Sequence, residues 1–557
     1  MTLNKNIIYY SIFAYFLLII CAIYFKFFPI LISSNISNFF ILLLFVILIG
    51  ILIVQSFELK SNIELFFVLP QYLIFTFLIR AIPTLRLNYQ PLSDPYYYFI
   101  TTLNIADYGT LEPILSWWYG LTNQQLSWPA LHIIGSTMMN LTNIHSIELL
   151  RYILPAIGVL FFIGVFLFTK IITNNINIAI LAGLFASTSD SVLFYQSEYH
   201  PQGMAFVFFI FLFVLIIRYF SSPSLLNGSL MIMYAIIFSI SHHFSSIFFF
   251  LLSIFILLTF LLLQIFFSRY VKFNNYIHFN FFLLPWIILA MLMIFLHIFK
   301  YPAFLKVVSN AMINDIKPPG TLIVYGQEIP LEVTILNSTK YLLLILAIIS
   351  IIFIYNTKNK KEFFCFLSMS GILISGVIGT FIAFIPVDRL IGFYIPFAAL
   401  FAALTLYRFY NNWLPKWNLK LKKLLILAVS LIILIAGPLN FFAPALIFHD
   451  SPKNPYYWHS NELSGFSVFG IPGNWIEKYI PEKSSFSSYN DTFMIPYFYG
   501  QIPATIGSSD EKHIAGTYYI NNNIELIKQQ ILQKSGSGII ATNQIYTIGK
   551  YKIGINI

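Results

Sequence analysis

Long apolar runs of bilayer-spanning length, separated by short polar intervals, dominate the first 446 residues. Runs cover roughly 7 to 25, 37 to 57, 64 to 83, 151 to 169, 176 to 195, 201 to 219, 229 to 241, 244 to 267, 279 to 299, 340 to 356, 363 to 385, 389 to 408 and 424 to 447. This pattern predicts about thirteen transmembrane helices. A further run, Pro129 to Leu141, has only 13 residues. Counting it as a span would invert every later loop against the positive-inside rule, so it reads as an interfacial or re-entrant helix. After Leu446 the apolar runs stop and Ser, Asn, Gly and Pro rise. There, NIELIKQQILQK at 523–534 has helical spacing, and Gly538 to Thr542 and Ile545 to Ile548 are β-like, which predicts a small α/β domain.

Composition fits this reading: 59% of residues are hydrophobic and 9% are charged. An ordinary soluble globule is excluded. The net charge is +10, and the loop cations Lys170, Arg218, Arg269, Lys272, Lys358, Lys360, Lys361, Arg408, Lys416, Lys420, Lys422 and Lys423 all fall on one predicted side. That side is expected to be cytoplasmic, so the charge reflects topology and no nucleic-acid partner is implied. Cys21 and Cys365 lie in apolar runs and read as small buried hydrophobes; they are too few for a disulfide framework. Residues 7 to 25 lack a small-x-small cleavage site and are expected to remain as a first helix. The expected domains are 1–447, a transmembrane domain with a first outer loop at 84–150 and a late one at 300–339, and 448–557, a small extracytoplasmic domain.

The polar landmarks share the outer face. Ser93 to Gly109, SDPYYYFITTLNIADYG, places Asp94 and a run of tyrosines after the third span. Asp before Pro also opens turns without further purpose, but a carboxylate at a membrane cavity can bind a divalent cation or accept a proton from a hydroxyl. YQSEYHPQ, at 195–202, sets Glu198 and His200 in a tight outer turn, a pair able to supply two ligands to one cation and equally ordinary in a polar turn. SHHFS brings His242 and His243 to the same surface. Adjacent side chains on a helix point about 100° apart, so at most one would face a cavity. Asp388 and Arg389 in PVDRLIGFYIP end a span, where an Arg can grip phosphate oxygens, pair locally or snorkel. No phosphate-cradling Gly-rich loop with Lys and no Gly-x-Ser-x-Gly, His-Glu-x-x-His or Cys-x-x-Cys motif occurs, which disfavours nucleotide-driven chemistry.

DPYYYF, ADYG and SWWYGLTNQQLSWPALHIIG together resemble the first outer loop of the C-type (GT-C) membrane glycosyltransferases, most closely oligosaccharyltransferase catalytic subunits and archaeal glycosyltransferase-like proteins. The resemblance implies Asp94 and Glu198 as catalytic groups. It also implies that Asp94, Glu198 and His200 are ligands of a divalent cation (Mg2+ or Mn2+) and that Arg389 sits at a lipid phosphate; apart from the resemblance, Tyr97 and one of His242 and His243 are candidates to line the cavity. Three spans rather than one precede the loop, and the tail lacks the Trp-Trp-Asp-Tyr-Gly sequence that reads a protein acceptor. The expected activity is transfer of a sugar from a polyprenyl-phosphate-linked donor to a lipid, glycan or protein acceptor, outside the plasma membrane. The alternative is a non-catalytic lipid-linked-sugar transporter or envelope-assembly protein.

Overall fold

The structure is a computed structural model. It describes residues 5–27, 35–86, 94–109, 129–144, 147–197, 199–242, 249, 252–256, 258, 339–350, 354, 360–382, 387–411 and 419–446, and toward the C-terminus 486–488, 504–506, 518–521, 542–548 and 551–556. The expected spans at 244–267 (for the most part) and 279–299, the late loop up to residue 338 and the helix at 523–534 lie outside the described residues. The chain divides into two compact units, with residues up to Tyr457 in the first, apart from 114–120, and 458–557 in the second.

The first unit is helical. Helices α1 (Lys5–Phe27), α2 (Asn35–Glu58) and α3 (Asn62–Arg86) are followed by α4 (Asp94–Tyr108), α5 (Ala130–Thr142) and α6 (Ile147–Thr173). Then come α7 (Ile176–Ser187), α8 (Asp190–Gln196), α9 (Pro201–Ser221) and α10 (Leu225–Ser239). The later described helices are α11 (Thr339–Ile349), α12 (Lys360–Ile382), α13 (Val387–Asn411) and α14 (Leu419–Leu446). Among the described residues six helices are long and apolar enough to cross a membrane, or seven if α7 and α8 form one broken span.

That break is the main departure from the expected run at 176–195. Helices α7 and α8 meet at 67°. The sequence there is Ser187-Thr188-Ser189-Asp190. Such side chains compete for backbone groups: Thr188 Oγ1 donates back to the Leu184 carbonyl at 2.9 Å, and Ser189 turns extended. Gly437 of α14 packs into the corner, where a Cβ would overlap the Thr188 carbonyl oxygen.

Helices α7 and α13 are enclosed by the others and almost wholly apolar. Phe209, Phe213, Phe393 and Phe397 interlock across α9 and α13, with ring centroids 4.9 Å apart for Phe213–Phe397 and 5.0 Å for Phe209–Phe393. Arg408 and Glu362 approach to 4.0 Å, Lys361 Nζ donates to the Ile171 carbonyl at 3.4 Å, and Asn177 Nδ2 donates to the Ser56 and Leu59 carbonyls. These contacts gather one end of α2, α6, α7, α12 and α13, the end that bears the basic residues.

The second unit contains a mixed sheet of β1 (Phe486–Ser488), β2 (Ala504–Ile506), β3 (Tyr518–Asn521), β4 (Thr542–Ile548) and β5 (Tyr551–Asn556), in the order β2-β1-β3-β5-β4. Strand β1 is parallel to both neighbours, while β5 runs antiparallel to β3 and β4. The expected strand at 545–548 is the latter part of β4. Its hairpin partner is β5, YKIGIN. Residues 538–541 lie outside the described residues.

A methyl group at Gly437 must displace the Thr188 carbonyl. Gly437→Ala is therefore expected to destabilise the helical unit by about 1–3 kcal/mol, measured by thermal unfolding of the detergent-purified protein.

Candidate functional site

Opposite the basic end, α4 begins at Asp94. Residues one and two turns on, Tyr98 and Thr102, share its face. The Tyr98 ring stands edge-on to His200, with centroids 5.4 Å apart, and lies 5.9 Å from the His132 ring of α5. Tyr195 is 5.1 Å from His200 on another side, and His242 is 6.3 Å away. The helix opened by the first motif therefore meets the turn carrying the second.

A hydrogen-bonded node fixes this meeting. Thr102 Oγ1 donates to the Tyr98 carbonyl at 2.7 Å, and Tyr199 Oη donates to the Leu131 carbonyl at 2.9 Å. Thr102 Oγ1 lies 3.0 Å from both His132 Nδ1 and Tyr199 Oη. With its own proton committed, the Thr102 oxygen accepts from His132 Nδ1–H. The neutral ring then leaves Nε2 as a buried nitrogen with no hydrogen-bond partner among the described residues. Burial pulls the His132 imidazole down to about 3. Gly135 makes room for the node: a Cβ there would overlap Tyr199 Oη and sit 2.7 Å from Thr102 Cγ2.

Of the residues expected from the sequence, His200 and His242 are buried at 5% and 2% exposure and share this cluster. Asp94, Tyr97 and Arg389 are described by their backbone alone, in the first turns of α4 and α13. Glu198 and His243 lie outside the described residues. Tyr98, Thr102, His132 and Tyr199 were missed. The i+4 and i+8 spacing from Asp94 could have pointed to Tyr98 and Thr102, but nothing local marks His132 or Tyr199.

His200 also caps α9. Its Nδ1 accepts the Gln202 backbone N–H at 3.1 Å, ahead of Pro201 at the first helical position. A backbone N–H can only donate, so the neutral ring carries its proton on Nε2. While the cap holds, this ring offers a cation no lone pair, and among the described residues no group of three His, Cys, Asp or Glu is placed to hold a metal ion.

No protein-family model matches the chain, and no curated protein does. Solved structures do. ArnT from Cupriavidus metallidurans bound to undecaprenyl phosphate aligns with 88% of this chain and 98% of its own at 8% identity and a TM-score of 0.54. Its apo state aligns over the same shares at 10% identity and a TM-score of 0.52. The Archaeoglobus fulgidus oligosaccharyltransferase in complex with Zn and sulfate aligns with 78% of this chain and 62% of its own at 15% identity. Its TM-score is 0.42. The likeness to ArnT establishes a shared fold over most of both chains.

His132 is neutral in the fold and titrates near its ordinary 6.5 when unfolded. Its folded value is depressed, so its contribution to stability is complete above about pH 6.5 and is lost as pH falls toward 3. Lowering the pH from about 6.5 to 5 is expected to cost the wild type about 2 kcal/mol more than the His132→Asn protein, checked by thermal unfolding at both values.

Proposed function

We propose that the chain is a membrane glycosyltransferase that moves a sugar from a polyprenyl-phosphate-linked donor to an acceptor on the outer face of the plasma membrane. The observation that carries this reading is the contact of Tyr98 with His200, which joins the helix begun by Asp94 to the turn of Glu198 and His200. The fold shared with ArnT, a protein whose structure holds undecaprenyl phosphate, supports it. The acceptor is a lipid, glycan or protein, and the unit at 458–557 is assigned to the same outer face.

In this mechanism Asp94 takes the proton of the acceptor hydroxyl as its oxygen attacks the anomeric carbon. The bond from that carbon to the phosphate oxygen breaks, and the phosphate leaves with the electron pair. Arg389 meets the departing anion with its planar fork of donors. His200, with its proton on Nε2, donates to an oxygen of the donor rather than holding a cation. Glu198 supplies the second carboxylate, orienting sugar hydroxyls. A cationic or N–H donor matters more in such a cavity than in water, because the local dielectric is low.

Asp94→Asn is expected to lower turnover of an undecaprenyl-phosphate-linked hexose by about a hundredfold or more, with little change in binding of undecaprenyl phosphate. Arg389→Ala is expected to weaken that binding by about tenfold or more. Full turnover by purified Asp94→Asn protein would overturn the reading.

A further inference from the structure

Arg80 lies in the half of α3 nearer α4 and is fully buried. Its Nε donates to Gln196 Oε1 at 2.8 Å and its Nη1 to the Thr76 carbonyl at 2.8 Å. Nη2 has no hydrogen-bond partner among the described residues. Gln196 is the last residue of α8, and its Nε2 donates at 3.3 Å to the carbonyl of Gly203, in the first turn of α9. One amide thus ties together both stems of the turn 197–200, which carries Glu198 and His200.

We infer that Arg80 is a positioning residue for the transfer reaction proposed above, acting through Gln196 to fix the geometry of that turn. The inference rests on that functional reading. Packing alone does not account for a guanidinium here, since a charge sunk in a membrane bundle is costly and an apolar side chain would fill the space. What the cation supplies is direction. Arginine has only donors, so Gln196 must turn its oxygen toward Arg80 and its NH2 toward Gly203. The surroundings are shaped for this arrangement: a Cβ at Gly158 would overlap Arg80 Nε and Cδ, and one at Gly203 would overlap the Tyr195 carbonyl oxygen. From the other side, Tyr199 anchors the same turn to Leu131.

The test uses the full chain in lipid nanodiscs with an undecaprenyl-phosphate-linked glucose probe, reading sugar release, melting temperature and amide exchange of the 195–203 peptides. Arg80→Met alone orphans Gln196 and is expected to lower the melting temperature. Arg80→Met with Gln196→Leu removes both polar partners and is expected to recover it. In this double variant kcat stays lower by about tenfold to a hundredfold at nearly constant KM, and exchange at 195–203 is faster. Arg80→Lys restores part of kcat. Gln196→Glu retains the Arg80 contact but cannot donate to Gly203, so it folds yet shows the same loss and the same fast exchange. Wild-type kcat and exchange in either the double variant or Gln196→Glu would overturn the inference. If Asp94→Asn releases sugar at the wild-type rate, the glycosyltransferase reading falls, and exchange at 195–203 still decides whether the clasp exists.

Discussion

A polar side chain buried in a lipid-facing bundle has no water to turn to, so it must find its partner on the protein. This constraint organises the helical unit. Gln55 bonds Ser11 and Gln71, and Tyr72 reaches Ser56 and the Leu52 carbonyl, linking α1, α2 and α3. Thr405 of α13 bonds the Leu346 carbonyl of α11. Each link is individually modest, on the order of 1 kcal/mol. Their directionality selects one register among the many that interchangeable Phe, Ile and Leu surfaces would allow.

The same constraint is strictest at the end that carries the candidate site. Short helices and tight connections there bring Thr102, His132 and Tyr199 onto one oxygen, and Arg80 and Gln196 onto one turn. Glycines at 135, 158 and 203 let the polar groups approach where any side chain would intrude. Apolar packing of α7, α9 and α13 supplies a stiff base, so that the site's geometry is inherited from helices rather than from loops.

The six long apolar helices found among the described residues were legible because apolar length is a local property. Asp94 and His200 stood out as polar groups in an apolar chain. The bend at Thr188 did not: hydropathy averaged over a span hides an Ala-Ser-Thr-Ser-Asp-Ser stretch whose effect depends on Gly437, far along the chain. Arg80 was hidden the same way, as one charge inside a run read as uniformly apolar. His132 and Tyr199 were invisible because their partners lie 30 and 97 residues from them. The order of the five strands, with β1 between β2 and β3, likewise depends on crossovers that no local pattern records.

The four-residue connection between α8 and α9 bears on how the protein is made. So short a link keeps α8 and the start of α9 side by side from the moment both are synthesised. Every described partner in the polar node and in the Arg80 contact comes from the first 203 residues. The polar node and the Arg80 contact can therefore close on the nascent chain, before the ribosome has reached the second half of the membrane domain, and His242 and the helix bearing Arg389 join them later.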